Sequence, residues 1–138
     1  MSLLARIGIH AARRPAATAL RWSTGELGYA ALLAAVERAM TRLAQVQAPV
    51  VALDLENGPD WVVFDLAALA LDLCIVPLPA FFSDDQLRHA ITRSGAHAVI
   101  TDRPDALRGR IGDLLDTAVQ SLPSIEPGAC LLPVTRAA

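Results

Sequence analysis

The chain has 138 residues, 54% of them hydrophobic and 19% charged, with a formal net charge of −2. That length supports one domain with a real core, burying roughly two-thirds of its unfolded surface. Globular domains ordinarily carry about 25% charged residues, so this chain is too apolar to cover its own outside comfortably, and a charge so near zero gives no electrostatic case for nucleic acid or an anionic membrane.

All twelve basic residues are arginine, so no Schiff-base, phosphate-loop or catalytic lysine exists in this segment. Cys74 and Cys130 both sit in apolar, strand-like runs. That usage fits a reduced, cytoplasmic protein in which Cys is a small hydrophobe.

At the amino end, Arg6, Arg13, Arg14 and Arg21 all precede the first acidic residue, Glu26. An organelle transit peptide has such a composition, but Leu3, Leu4, Ile7 and Ala11 keep helical spacing, which favours an amphipathic helix ended by Pro15. TALRW (Thr18 to Trp22) and ELGY (Glu26 to Tyr29) flank Ser23-Thr24-Gly25 and read as a short hairpin. A helix is predicted from Tyr29 to about Gln45, with Tyr29, Leu32, Leu33, Val36, Met40 and Leu43 as its apolar stripe. PVVALDL (Pro49 to Leu55) is apolar on both faces at its centre, as a strand between two layers is.

Pro59 opens the next helix at a first-turn position, and Asp60 complements the positive end of its dipole. From Trp61 to Leu71 this helix offers one charged residue, Asp65. It is oily on nearly every side, so it should have protein on more than one side, and a second cover is not evident among these residues. Leu73 to Val76 reads as another buried strand, stopped by Pro77 and Pro79. Ser83-Asp84-Asp85-Gln86 has the form of a capping box, with Phe82 and Leu87 placed as a hydrophobic staple. Leu87, Ala90 and Ile91 carry the inner face of that helix and Gly95 closes it. HAVIT (His97 to Thr101) is the next strand, Leu107, Ile111, Leu114, Leu115 and Ala118 make a helical stripe, and ACLLPV (Ala129 to Val134) follows a loop marked by Pro123 and Pro127. No repeat and no 18-residue apolar run is present, so no membrane span is expected. Strand and helix in alternation predict an α/β fold, a mostly parallel sheet flanked by helices with a short N-terminal β-hairpin.

The ordered pieces RRPAATALRW, ELGYAALLAAVERAMTRLAQ and VVALDLENGPDWVVFDLAALALDLCIVPLPAFFSDDQLRHAITRSGAHAVITD resemble the N-terminal part of the adenylate-forming (AMP-binding) superfamily. That group includes acyl- and aryl-CoA synthetases, luciferases and the adenylation domains of peptide synthetases. The resemblance runs from Arg14-Pro15 through Asp102, and its specificity lies in the order of the pieces rather than in one tripeptide. Two positions depart from the pattern. Where the family opens its first long helix with the capping box Thr-Tyr-x-Glu, this chain has Gly28-Tyr29-Ala30-Ala31, at a cost of only a few tenths of a kcal/mol for Gly as N-cap. Where the family has Gly before the "VPL" strand, at a helix end that favours positive φ, this chain has Asp72, a poorer occupant of that conformation.

As the resemblance implies, the family makes an acyl-adenylate from a carboxylic acid and ATP with magnesium, then passes the acyl group to a thiol such as coenzyme A. The phosphate loop with its Lys, the acidic nucleotide-binding motifs and the catalytic Lys lie downstream of the residues matched here. Residues 1–138 are therefore expected to form a single α/β subdomain, an incomplete part of a larger adenylation domain. No catalytic, cofactor-binding or metal-ligating residue is expected in it. Its expected partner is the rest of that domain or, in a rival reading as a stand-alone assembly module, a second copy in a homo-oligomer. Which acid the complete enzyme would use is open.

Individual residues support this restraint. Asp84 and Asp85 are explained by capping and dipole. Cys74 with His89 or His97 could suggest a nucleophile and base, but Cys74 is expected in the most apolar strand, where a thiol loses reactivity. Asn57 is expected to make a turn or helix cap, Trp61 to anchor the core, and Phe81 or Phe82 to face missing protein. Gly25, Gly58 and Gly95 stand alone and form no phosphate nest, and ENGPD after the Val50–Leu55 strand lacks G-x-G-x-x-G, which disfavours a nucleotide-binding Rossmann unit.

Overall fold

The computed structural model describes residues 1–135. Helix α1 (Leu3–Arg13) is capped by Ser2, whose Oγ accepts the Ala5 N–H at 3.1 Å, and it ends before Pro15 as predicted. Strands β1 (Thr18–Trp22) and β2 (Gly25–Gly28) form the antiparallel hairpin. Helix α2 (Tyr29–Val46) then starts without a side-chain cap. Its first donors are satisfied by backbone instead: Tyr29 N–H reaches Ala17 O at 3.0 Å and Ala30 N–H reaches Pro15 O at 3.1 Å. The loop that precedes the hairpin thus does the work of the missing capping box.

Strand β3 (Val50–Asp54) leads into α3 (Pro59–Ala70), and β4 (Cys74–Pro77) follows. The α3–β4 junction is a Schellman motif: Leu73 N–H bonds Ala68 O at 2.9 Å and Asp72 N–H bonds Leu69 O at 3.3 Å. It places Asp72 at φ 57, the left-handed conformation expected for it. Helix α4 (Asp84–Ser94) has the full capping box, with Ser83 and Gln86 exchanging both bonds, and Gly95 closes it at φ 68. After β5 (Ala98–Thr101) comes α5 (Pro104–Ile111).

The helical stripe predicted to reach Ala118 stops early. The chain tightens into a 3₁₀ turn over Gly112–Leu114, and Leu115 is already extended, bridging to Val134. Strand β6 (Gln120–Ser121), two polar residues with no apolar pattern, is not predicted by the sequence; β7 (Cys130–Pro133) is the expected last run.

The sheet runs in the order β4-β3-β5-β7-β6. Its β4-β3-β5 core is parallel as predicted, and β7 and β6 extend it antiparallel, making the sheet mixed. Side chains alternate across it. Val51, Leu53, Ala98, Ile100 and Leu131 face a cluster with α1, α2 and α3. Ala52, Val99 and Leu132 face α4 and α5. On that second side Arg88 holds Asp113 through two bonds of 2.6 Å, linking α4 to the 3₁₀ turn and keeping the Asp113 carboxyl below its ordinary range.

Three expectations from the sequence fail in the structure. The oily helix α3 does have its second cover within the chain. It lies between the sheet and α2, its largest helix contact, with Val63, Phe64, Leu66, Ala67 and Ala68 buried. Leu69, 59% exposed, and the exposed Ala70 beside it are what remain of its bare surface. Strand β4 is not a buried strand but the sheet's edge, and Cys74 on it is exposed. Nor do Pro77 and Pro79 stop it at Val76, since β4 includes Pro77. Cys74 and Leu78 donate inward, to Pro49 O and Leu53 O. The alternate positions 75, 77 and 79 therefore aim outward, and proline at two of them sacrifices no ladder bond.

Candidate functional site

In parallel α/β sheets, ligands gather at the carboxyl ends of the strands. Here β3 ends at Asp54, β4 at Pro77 and β5 at Thr101. Asp54 is buried, and its Oδ2 accepts a bond from Thr101 Oγ1 at 2.8 Å. Thr101 Oγ1 in turn accepts the Arg103 N–H at 3.0 Å, and the Arg103 guanidinium stands 3.8 Å from Asp54 Oδ1. A buried carboxylate must be compensated, and this hydroxyl and arginine do it. Beside them Arg110 bonds Asp84 Oδ1 at 2.6 Å and Phe82 O at 2.7 Å, fixing the loop between β4 and α4. A small cavity of about 80 Å³ lies between the two arginines.

Two larger hollows open at the same end. One, of about 250 Å³, runs between the 55–60 loop and residues 126–129, with Asp102 at its edge. The other, of about 510 Å³, is an open groove between Trp61 and the Pro77–Phe81 loop. Carboxylates of Glu56, Asp60, Asp102 and Glu126 rim the first, which disfavours a polyphosphate there. Asp60 does more than complement the dipole of α3. Its two oxygens accept the backbone N–H groups of Ile125 at 2.6 Å and Glu126 at 2.9 Å. Nothing local in the sequence announces that role, since the partners lie 65 and 66 residues away.

The residues weighed from sequence fall as follows. Asp84 caps α4 and pairs with Arg110, and Asp85 lies in the same acidic first turn. Cys74, His89 and His97 are not brought into this end of the sheet. Cys74 starts β4 and His97 precedes β5, both at the amino ends of the strands, with the first residue of β3, Val50, between them. His89 lies on the exposed surface of α4. Asn57 sits in the bend before α3, but the N-cap is Gly58, with no side-chain cap. Trp61 packs on the core as expected and also walls the groove. Phe82 packs with Leu87 in the α4 and α5 cluster, while Phe81 is 82% exposed and meets Phe82 edge-on, ring centroids 5.6 Å apart. Cys130 is buried, donates to Thr101 O at 3.4 Å, and has its thiol pKa pushed up by burial. Among the described residues no cluster of three or more His, Cys, Asp or Glu could hold a metal ion, and no helix is long and apolar enough to cross a membrane.

Comparison with known proteins bears directly on this arrangement. No curated protein matches the sequence. Among solved structures, the N-terminal subdomain of Klebsiella oxytoca NpsA, in complex with anthranilyl-AMSN, superimposes with a TM-score of 0.67 at 19% identity, over 75% of this chain and 28% of that one. Coronafacic acid ligase from Pectobacterium brasiliense gives 0.66 at 20% identity, over 72% of this chain and 20% of that one. An artificially fused adenylation–PCP di-domain from K. oxytoca, NpsA-ThdA, gives 0.61 at 18% identity, over 68% and 19%. Identity at that level carries the fold, and this chain spans between 19% and 28% of the length of these solved chains. The sequence profile of AMP-binding enzymes matches residues 9–131, nearly the whole chain. The fold and the profile agree, and the chain belongs to the AMP-binding enzyme family, of whose domain it forms a part.

Proposed function

We propose that this chain builds one α/β layer of the large domain of an adenylate-forming ligase of the acyl-CoA synthetase type, and that ATP, magnesium, the carboxylic acid and coenzyme A are handled by residues outside its 138. The observation that carries this reading is the match over residues 9–131 to a family whose solved members are several times longer. The site chemistry agrees with it. The carboxyl-end hollows offer carboxylates and apolar walls but no lysine and no glycine-rich nest. In this reading the partner is the rest of the adenylation domain, seated against the groove between Trp61 and the exposed Phe81. The protein is cytoplasmic, with both cysteines as free thiols, and the parent enzyme's substrate is a carboxylic acid of the fatty, aryl or amino acid class.

A rival reading, a self-associating assembly module, keeps some support from exposed Phe81 and Leu69. It has lost its main motive now that α3 is covered by α2. The test has two arms. Incubation of the chain with ATP, magnesium and a panel of carboxylic acids should give no pyrophosphate, and release of pyrophosphate overturns the proposal. Reading the gene past the codon for Ala138 separates the two readings. Continuation into a Ser/Thr/Gly-rich loop ending in Pro-Lys-Gly supports the ligase layer, whereas an immediate stop codon supports the module.

A further inference from the structure

Between β6 and β7 the chain makes a closed loop. Its base is tied by Leu122 N–H donating to Ala129 O at 3.0 Å. Residues 123–128 run out from that base to the amino end of α3. Pro123 begins the excursion, and Gly128 ends it at φ 112, a conformation that side chains rarely adopt and that suits a pivot. Partway out, Ile125 packs against the core shared by α2 and α3. The polar attachment is Asp60, which takes the Ile125 and Glu126 N–H groups, one on each carboxylate oxygen. Apart from the tight turn at Pro127–Gly128, no other hydrogen bond reaches 123–128 among the described residues. Glu126 and Pro127 form one wall of the 250 Å³ cleft, facing the 55–60 loop.

We propose that residues 123–128 are a hinged flap over this cleft and that the Asp60 carboxylate is its latch. Both bonds are charge-assisted and share one acceptor group. They are therefore lost together, leaving the flap only the packing of Ile125 and of Pro123 and Ser124 beside Ala35, Arg38 and Val63. The base bond from Leu122 to Ala129 lies outside the flap and survives. Opening takes Glu126 and Pro127 out of the cleft wall, joins the cleft to the wider crevice at the strand ends, and bares Ala129, which is 4% exposed when the flap is shut. Asp60 is thus a positioning residue, and it acts on the cleft through the flap. This inference does not depend on which reaction the parent domain performs.

Hydrogen exchange on the 138-residue chain tests it. Asp60→Ala should speed exchange of the Ile125 and Glu126 amides about 100-fold or more, the scale set by losing two charge-assisted bonds, while amides of β3, β5 and the body of α3 keep their rates. Asp60→Asn, which retains one acceptor oxygen and the original shape, should fall between. An Ala129→Cys thiol, placed in a Cys74→Ser background, should label faster with maleimide by a similar factor when Asp60→Ala is added. Unchanged exchange and labelling overturn the latch. So does an increase spread evenly over the sheet in both Asp60 variants, because Asp60 would then be a general stability residue. If Asp60→Ala fails to fold, a local increase in Asp60→Asn supports the proposal and an unchanged loop overturns it.

Discussion

Restoring the family's threonine at the start of α2 should weaken the protein. From sequence alone, Gly28→Thr looks like a repair, since Thr as N-cap gains a few tenths of a kcal/mol over Gly. The backbone at Gly28, φ −77 and ψ 167, would accept any residue. Space is the obstacle: a Cβ there would lie 3.0 Å from Pro15 O and 3.5 Å from the carbonyl of Ala16. Pro15 O is also the acceptor for Ala30 N–H at 3.1 Å. Making room for the Cβ pushes that carbonyl away, and a typical hydrogen bond contributes about 0.5–1.5 kcal/mol. Overpacking adds about 1 kcal/mol or more. The net expectation for Gly28→Thr is a loss of about 1 kcal/mol, read as a lower urea midpoint and a fall of about 3–5 °C in Tm for a chain of this size. Gly28→Ala, which adds the Cβ without the hydroxyl, should lose somewhat more. A Gly28→Thr protein as stable as the parent, or more so, would refute the claim that the 15–17 backbone already caps this helix.

Two further outcomes follow from the same structure. Asp72 is exposed at φ 57 with no hydrogen bond from its side chain among the described contacts, so Asp72→Gly should stabilise by about 0.5–1 kcal/mol, and a drop in Tm would contradict the strain argument. Cys74 should react with a maleimide in the native state while Cys130 waits for unfolding, because one thiol is exposed and the other is buried with its pKa raised. Mass spectrometry showing two labels on the folded protein would refute that contrast.

What the sequence made legible was local. The Ser83–Gln86 capping box, the Gly95 stop, the Pro59 start and the Asp72 turn are each written within five residues of one another, and the structure has all four. What stayed hidden depends on residues far apart in the chain. An apolar run such as CIVP looks alike at the centre and at the edge of a sheet, because strand order is not a property of the strand. The cover of α3 is hidden in the sequence for a related reason. Ala35 and Ala39, small residues outside the expected stripe of α2, are buried with it and allow a second helix to approach closely. In the candidate site, the Asp54–Thr101 bond spans 47 residues and the Asp60–Ile125 bond 65. Neither has a local signature; a buried aspartate ending a strand was the one available hint.

The outward-facing prolines of β4 bear on how this protein behaves at high concentration. A bare sheet margin normally templates the next molecule through its free amides, and Pro77 and Pro79 leave Ile75 as the one amide on that rim able to do so. Fibril growth from that flank lacks the donors it needs. The opposite flank of the same sheet is also a poor template, since Gln120 and Ser121 of β6 offer a rung only two residues long.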